Sequence, residues 1–480
     1  CDVDGGDVLF VVSANGYESI EKRLDVTMDM RFQFELEMKT VVQAGTQTVF
    51  ANRDQEQISL HRVEGDTVKR FSQLSLFTDA TNALKFLPGV ASRGSYDARL
   101  YVRGGASYEL LGVLDGVPVG FPYFFGGAIS MFNANIIDGV EFYPGGYPVK
   151  GGQALSGVLD ITTLDGFNDR FYTEIDFNLT EGQIYHTGPI EKNKSNYMFS
   201  YKKSYYDLAA NLFLPSEYGA VNFPYIQSFQ TKYVHRFSDQ QQLKIGYYLF
   251  NDGMNIPLNL TGGSNQGHFI YDWKQSIISA KLFSFFSESL INEATLALYI
   301  RDGSFDFLNE STGFDGKFGI GENHYIFRND ISWEYSDKHH FQFGTLFYRA
   351  DIKNSIYLEI PADPDEPGSV DERLEGDIVE PAYLGAFYFQ DQWFIDDFWQ
   401  LQSGLRFDNT KYGSFPIHSL IDPRFQLGYQ LNDQTLLKCY YGSYSQQMFE
   451  TQDVYNESQN KYILYPIDTD MERAFHYGAG

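Results

Sequence analysis

Residues 399–408 read WQLQSGLRFD and alternate without a break. In an extended chain Trp399, Leu401, Leu405 and Phe407 fall on one face, and Gln400, Gln402, Arg406 and Asp408 fall on the other. A one-residue slip would exchange the two sets, so the register is fixed by what lies on each side. In a bilayer such a slip costs about 2–4 kcal/mol for an arginine near the midplane. Residues 424–431, RFQLGYQL, repeat the pattern, with Phe425, Leu427, Tyr429 and Leu431 against Arg424, Gln426, Gly428 and Gln430. TEIDFNL (173–179) and NYMFSYKKS (196–204) do the same. Alternation alone suits a solvated sheet or a membrane barrel.

The turns separate those readings. Tight polar turns stand at SDQQ (238–241), SESL (287–290), SDKH (336–339), DD (396–397) and ND (432–433). Between them lie long connections at 251–266, 302–322, 355–380 and 447–469. Short turns at one end and long loops at the other are the signature of an outer-membrane barrel, with the turns periplasmic. The strands are long enough for a tilted span of about 9–11 residues. The 42 Phe and 35 Tyr, many near strand ends, fit interfacial girdles.

A net charge of −27 over 480 residues excludes a nucleic-acid binder, which wants a basic face. The two cysteines, Cys1 and Cys439, are too few for a disulfide framework, and Cys439 reads as a small buried or lipid-facing side chain. Neither HExxH nor GxSxG occurs, and the nine histidines are scattered apart from His339-His340 beside a tight turn. No catalytic residue, metal ligand or cofactor is therefore assigned. DVDGG (2–6) reads as a turn, and the acidic stretch 363–380 as a solvated loop.

Four regions follow. Residues 1–40 are strand-like, as in RFQFELEMK, and suggest the second half of a small β-sandwich. Residues 41–57 are polar and aperiodic, a linker. Residues 58–165 form a Gly-rich region of short apolar strands, with FTDATNALKFLPGV (77–90) a short helix stopped at Pro88-Gly89. Residues 166–480 carry the long alternating strands. Arg103 and Asp115 sit among apolar neighbours in RLYVRGGASYELLGVLDGVPV (99–119), and both need partners, because stranding a charge in a core is costly. The chain opens in mid-pattern and ends in a strand, so it reads as a segment of a longer protein. A lumen that holds so large an insert calls for a wide barrel, of which this would be about 14 of about 22 strands.

The chain resembles the TonB-dependent outer-membrane receptors with an N-terminal carboxypeptidase-regulatory-like domain. The resemblance rests on LPGV (87–90), YVRGG (101–105), LDGVPV (114–119), VEFYPGGYPVKGG (140–152) and LSGVLDITT (155–163), and on GPIEKNKSNYMFSYKKSYYD (188–207), FQDQWFI (389–395), GLRFD (404–408), DPRFQLGY (422–429) and ERAFHYG (472–478). It implies a mainly β protein: a transmembrane antiparallel barrel enclosing an α+β plug domain, preceded by part of a β-sandwich. It implies active import of a scarce ligand (siderophore, cobalamin, oligosaccharide or similar) across the Gram-negative outer membrane, with the N-terminal domain periplasmic. The partners would be outer-membrane lipid, a small extracellular ligand and the energy-coupling protein TonB. TonB would add a strand to TVVQAGT (40–46), at Thr40, Val41, Val42, Gln43 and Ala44. Ligand would meet Phe121, Tyr123, Phe124 and Phe125 on the plug and Tyr218 and Phe223 on a long loop, by aromatic stacking. Arg93 and Arg103 would pair with inward carboxylates Glu174, Asp176 or Asp408. Two residues depart from the family pattern: Phe124 stands where relatives often have His, and Lys202-Lys203 where they tend to have Arg. The alternatives are an outer-membrane signalling receptor, and a glycan importer of the starch-utilisation type with a surface lipoprotein partner. A passive porin would not carry residues 58–165.

Overall fold

A computed structural model describes residues 6–12, 20–26, 59–73, 78–94, 97–205, 222–258, 267–309, 313–361, 372–432, 434–447, 450–456 and 461–480. The chain divides into two compact units, Cys1–Gln55 and Glu56–Gly480. In the first, Gly6–Val12 pairs antiparallel with Ile20–Val26. Asp2–Gly5 of DVDGG, the 41–57 linker and TVVQAGT lie outside the described residues.

The second unit begins with the insert. Its five-stranded sheet runs, in spatial order, His61–Glu64, Ile137–Tyr143, Gly157–Thr163, Leu110–Leu114 and Val117–Val119. Gly157–Thr163 and Leu110–Leu114 are parallel, and the other pairs are antiparallel. Leu114 and Val117 are opposite each other across a two-residue turn, in which Asp115 (φ 50°) and Gly116 (φ 88°) both take positive φ. That is the hairpin geometry that DG sequences favour. A helix at Gly65–Ser72 packs Val68 into the core. The helix expected at 77–90 is only a 3-10 turn, Ala80–Ala83, capped by Asp79 accepting from Thr81 N. Beyond it the chain continues in three-residue turns, Leu87 N to Leu84 O and Val90 N to Leu87 O, up to Gly89 at φ 79°.

The wall is one antiparallel path of strands: Tyr172–Phe177, Glu181–Glu191, Ser195–Ser204, Asn222–Ser238, Gln241–Leu258, Gly267–Ser287, Leu290–Asn309, Phe314–Ser336, His339–Ile360, Glu372–Phe394, Trp399–Tyr412, His418–Asn432, Thr435–Gln446 and Glu472–Ala479. A hairpin, Glu450–Asn456 with Lys461–Ile467, stands off this path. The tight turns at 238–241, 287–290, 336–339 and 396–397 fall where the sequence places them, and Asp433 of the 432–433 turn lies outside the described residues. The long connections do not: Leu290–Asn309 and Phe314–Ser336 pair through most of 302–322. Backbone pairing continues beyond any bilayer because it needs only a neighbouring strand; polar side chains there merely face water.

The two faces of the wall differ as the alternation requires. Gln402, Arg406, Asp408, Arg424 and Gln426 are buried, covered by the insert, whereas Leu405, Phe407, Phe425 and Leu431 are exposed on the outside. The protein is thus a β-barrel wall enclosing a plug. Among the described residues no helix is long and apolar enough to cross a membrane.

Candidate functional site

Among the contacts between plug and wall are three clusters. The first is the glycine-rich stretch PGGYPVKGGQALS (144–156), whose peptide carbonyls face donors from the wall. Arg424 Nη1 donates to Pro148 O (2.6 Å) and Gly151 O (2.7 Å), and its guanidinium lies over the rings of Tyr147 and Tyr444 at 4.7 and 4.3 Å. Arg406 Nη1 donates to Val149 O at 3.1 Å. Its Nε and Nη2 grip Asp408 at 2.7 and 2.9 Å, with both side chains 1% exposed. Gln426 Nε2 donates to Gly146 O (2.7 Å), and Gln390 Oε1 accepts from Val149 N (3.3 Å). His476 Nε2 meets Leu155 O at 2.6 Å. At Gly152 a Cβ would lie 2.2 Å from Arg406 Cζ, so any larger residue must displace the guanidinium.

The second contact is ionic. Asp115 is pinned by Thr163, through its N at 3.0 Å and its Oγ1 at 2.6 Å. From the wall, Lys232 Nζ lies 3.2 Å from Asp115 and 3.3 Å from Asp165, and donates to Thr163 O at 2.8 Å. Tyr248 also donates to Asp115, and Lys244 pairs with Asp165. Two carboxylates and two ammonium groups thus balance. Burial alone would raise both acids. Lys232 outweighs it at Asp115, with the Thr163 and Tyr248 hydrogen bonds, and holds that carboxyl below its ordinary value. At Asp165, Lys232 and Lys244 together bring it down to about 2.

The third contact is aromatic. Phe124 is buried against Phe250, with ring centroids 6.4 Å apart, and Tyr123 is buried beside Phe121. Phe125 and Phe121 are half-buried and face Tyr271 (5.9 Å) and Trp273 (6.4 Å) on the wall. Phe125 N donates to Asp252 Oδ2 at 2.7 Å, and Trp273 Nε1 is buried with no hydrogen-bond partner among the described residues.

The sequence-selected residues therefore cluster only in part. Phe121, Tyr123, Phe124 and Phe125 come together, with Tyr123 and Phe124 committed to packing. Tyr218 and the side chain of Phe223, like Thr40, Val41, Val42, Gln43 and Ala44, lie outside the described residues. The expected pairing of Arg93 and Arg103 with Glu174, Asp176 and Asp408 is replaced by other partners. Arg93 lies over the Tyr101 ring at 4.8 Å, and Arg103 reaches Tyr440. Glu174 pairs with Lys69, Asp176 accepts from Asn135 Nδ2 at 3.1 Å, and Asp408 is held by Arg406. Positions i and i+2 share a face of a strand, so Asp408 finds Arg406 of its own strand first. Of the Lys202-Lys203 pair, Lys202 points inward to Glu181 (2.9 Å) and Thr78 O (3.3 Å). Arg424, Gln426, His476, Lys232 and Lys244 carry no site assignment from the sequence. For the arginines the signal was present: GLRFD and DPRFQ place an inward arginine on adjacent strands.

Residues 67–158 match the model of the TonB-dependent Receptor Plug Domain, and residues 160–462 match the TonB dependent receptor-like, beta-barrel model. Among solved structures, the ferric yersiniabactin uptake receptor of Yersinia pestis is similar at TM-score 0.64 and 14% identity, covering 88% of this chain and 69% of that one. A pyoverdine-bound receptor of Pseudomonas aeruginosa is similar at TM-score 0.60 and 14% identity, covering 88% and 61%. The RagAB peptide importer is similar at TM-score 0.57 and 10% identity, covering 88% and 65%. At these identities the likeness establishes the fold. No curated protein matches the sequence significantly.

Proposed function

Because this chain belongs to the TonB-dependent receptor family, we propose that it is an active transporter importing a scarce ligand across the Gram-negative outer membrane. The observation that carries the reading is the seated plug. A folded domain tied to the wall by buried arginine–carbonyl bonds and a balanced ionic cluster stoppers the lumen, and moving it takes work. TonB would deliver that work from the periplasm by pairing with the 40–46 segment as an added strand. The antiparallel pair Gly6–Val12 and Ile20–Val26 supports residues 1–40 as the end of a periplasmic carboxypeptidase-regulatory-like sandwich.

The ligand is a siderophore, cobalamin, oligosaccharide or similar small molecule. The similar proteins named above for ferric yersiniabactin, pyoverdine and peptides support that breadth. On the plug the contacts would be the half-buried Phe121 and Phe125, facing Tyr271 and Trp273. Deleting residues 40–46 from the full-length protein should abolish energised uptake and leave ligand binding intact. Unchanged uptake would remove that segment as the coupling site.

A further inference from the structure

The polarity of the wall inverts along its longest strands. A span takes about 9–11 residues counted from the short turns, and beyond that height the outer face turns from apolar to charged. On Gly267–Ser287 and Leu290–Asn309, the exposed Ile278 and Leu296 give way to Asp272, Lys274, Asp302 and Asp306. On His339–Ile360 and Glu372–Phe394, the exposed Phe347 and Tyr383 give way to Lys353, Glu375 and Asp377. Past the hydrocarbon these outer side chains face water.

The inner face of the same stretch does the opposite. Tyr271 and Trp273 face the plug, and alternation carries their face on to Phe269. On the next strand Phe305 lies 5.3 Å from Tyr271 and 5.8 Å from Trp273, and Phe307 lies 4.9 Å from Phe269. Phe305 is opposite Phe318, and Phe318 is opposite Ile356. One strand further, Leu358 is opposite Leu374. Phe307 and Phe318 remain 38% and 39% exposed. A contiguous apolar face left open to solvent marks a surface that something apolar covers. This one is continuous with Phe121 and Phe125 at the top of the plug, through Trp273 and Tyr271.

Charge and hydrogen bonding narrow the occupant. Among the described inner positions of 267–273, 301–307, 314–324, 350–360 and 374–382, the acidic and basic side chains are Arg301, Glu322 and Glu380, and Arg301 pairs with Glu322. The balance is one negative charge, which disfavours an anion. Sugar hydroxyls laid against phenylalanine and isoleucine would lose their hydrogen bonds to water and gain none. We infer that this inner face is a binding surface for an uncharged ligand bearing aromatic rings, and that it leads the ligand down to Phe121 and Phe125. The inference rests on the import reading and narrows its ligand. The hairpin of Glu450–Asn456 with Lys461–Ile467 meets the upper end of the face, where Tyr462 pairs with Leu374.

The test places the full-length protein in lipid nanodiscs, with empty nanodiscs as the blank, and titrates three probes separately. They are the blocked peptide acetyl-Gly-Phe-Gly-Phe-Gly-Phe-amide, maltoheptaose and ferric enterobactin. The peptide has rings and no charge, the sugar has neither, and the chelate has both. The peptide should bind about ten-fold or more tighter than either other probe, and Phe307→Ser with Phe318→Ser should weaken it about ten-fold, the scale of two ring contacts. Maltoheptaose or ferric enterobactin binding as tightly as the peptide would overturn the surface, as would peptide binding no better than to the blank, or a variant that keeps the preference. The unaltered protein's ranking decides even where the variant misfolds. Peptide binding gained only on deleting residues 450–467 would make the face the seat of this chain's own hairpin and overturn a ligand surface. A protein that prefers the peptide and supports no energised uptake keeps the surface and loses the import reading. One that supports energised uptake and shows no such preference loses the surface alone.

Discussion

Two of the plug's attachments solve the same problem with opposite chemistry. At 144–156 the plug offers mainly uncharged peptide carbonyls, and the wall brings Arg406 and Arg424; the charge of Arg406 is balanced on its own strand by Asp408, and a long ion pair, Lys150 with Asp330 at 3.9 Å, leaves Asp330 its own strand's Arg328 at 2.7 Å. At the 115–165 corner the plug itself brings the charge, and the wall answers with Lys232 and Lys244. When the first parts, Arg406 keeps Asp408 and Asp330 keeps Arg328, so of the charged groups named here only Lys150 loses an ionic partner, one already 3.9 Å away. The second has no such fallback, because separation strands acids on one side and ammonium groups on the other. The carbonyl seam is therefore the attachment that can open and reseat, and the ionic corner is the one that stays closed longest.

The largest expected effect tests what balances the seam. Arg406→Ala leaves Asp408 buried without its partner and removes the donor to Val149, so it should cost about 3–5 kcal/mol, read as a fall in the urea midpoint for plug release. A loss below about 1 kcal/mol, within the range of exposed pairs, would mean that the seam is wet and weak.

Acid separates the two attachments next. The unfolded chain protonates its aspartates near their ordinary value of about 4, whereas Asp165 in place holds out to about 2. Its contribution is present in full above about pH 4 and is lost as the pH falls towards 2, on the order of 2 kcal/mol in all. Asp165→Asn should remove that stretch of the pH profile of plug release. A profile identical to that of the unaltered protein would show that the corner does not hold the plug.

A smaller effect sharpens the seam. Gly152→Ala puts a methyl group where the Arg406 guanidinium lies, and should cost about 1–2 kcal/mol by displacing it. Smallest of all, Arg62→Ala breaks an exposed pair with Glu141 and should shift stability by less than about 0.5 kcal/mol, giving the scale of a contact that does not matter.

Much of this architecture is written in the period of the side chains. WQLQSGLRFD shows which residues face inward, and SDQQ, SESL and SDKH show where the chain reverses. What alternation does not carry is which inward group meets which part of the plug. Asp408 was legible as an inward carboxylate, but its partner is set by proximity along its own strand. Lys232 and Lys244 look like any other inward polar residues until the DG hairpin and Asp165 are placed beside them in space. The apical aromatics were visible as a cluster, yet the division between buried Phe124 and half-buried Phe125 depends on wall residues more than a hundred positions away. The helix at Gly65–Ser72 was missed because eight residues give too few turns for a periodic signal.

The account stands on the plug being inside the wall with its glycine-rich seam against the Trp399–Tyr412 strand. At Gly404 a Cβ would lie 2.7 Å from Val149 Cγ1, so cysteines at 149 and 404 face each other across that contact. Oxidation of the Val149→Cys, Gly404→Cys protein in intact outer membranes should join plug to wall, seen as linked peptides after proteolysis. Complete oxidation of both thiols with no 149–404 peptide would contradict the arrangement.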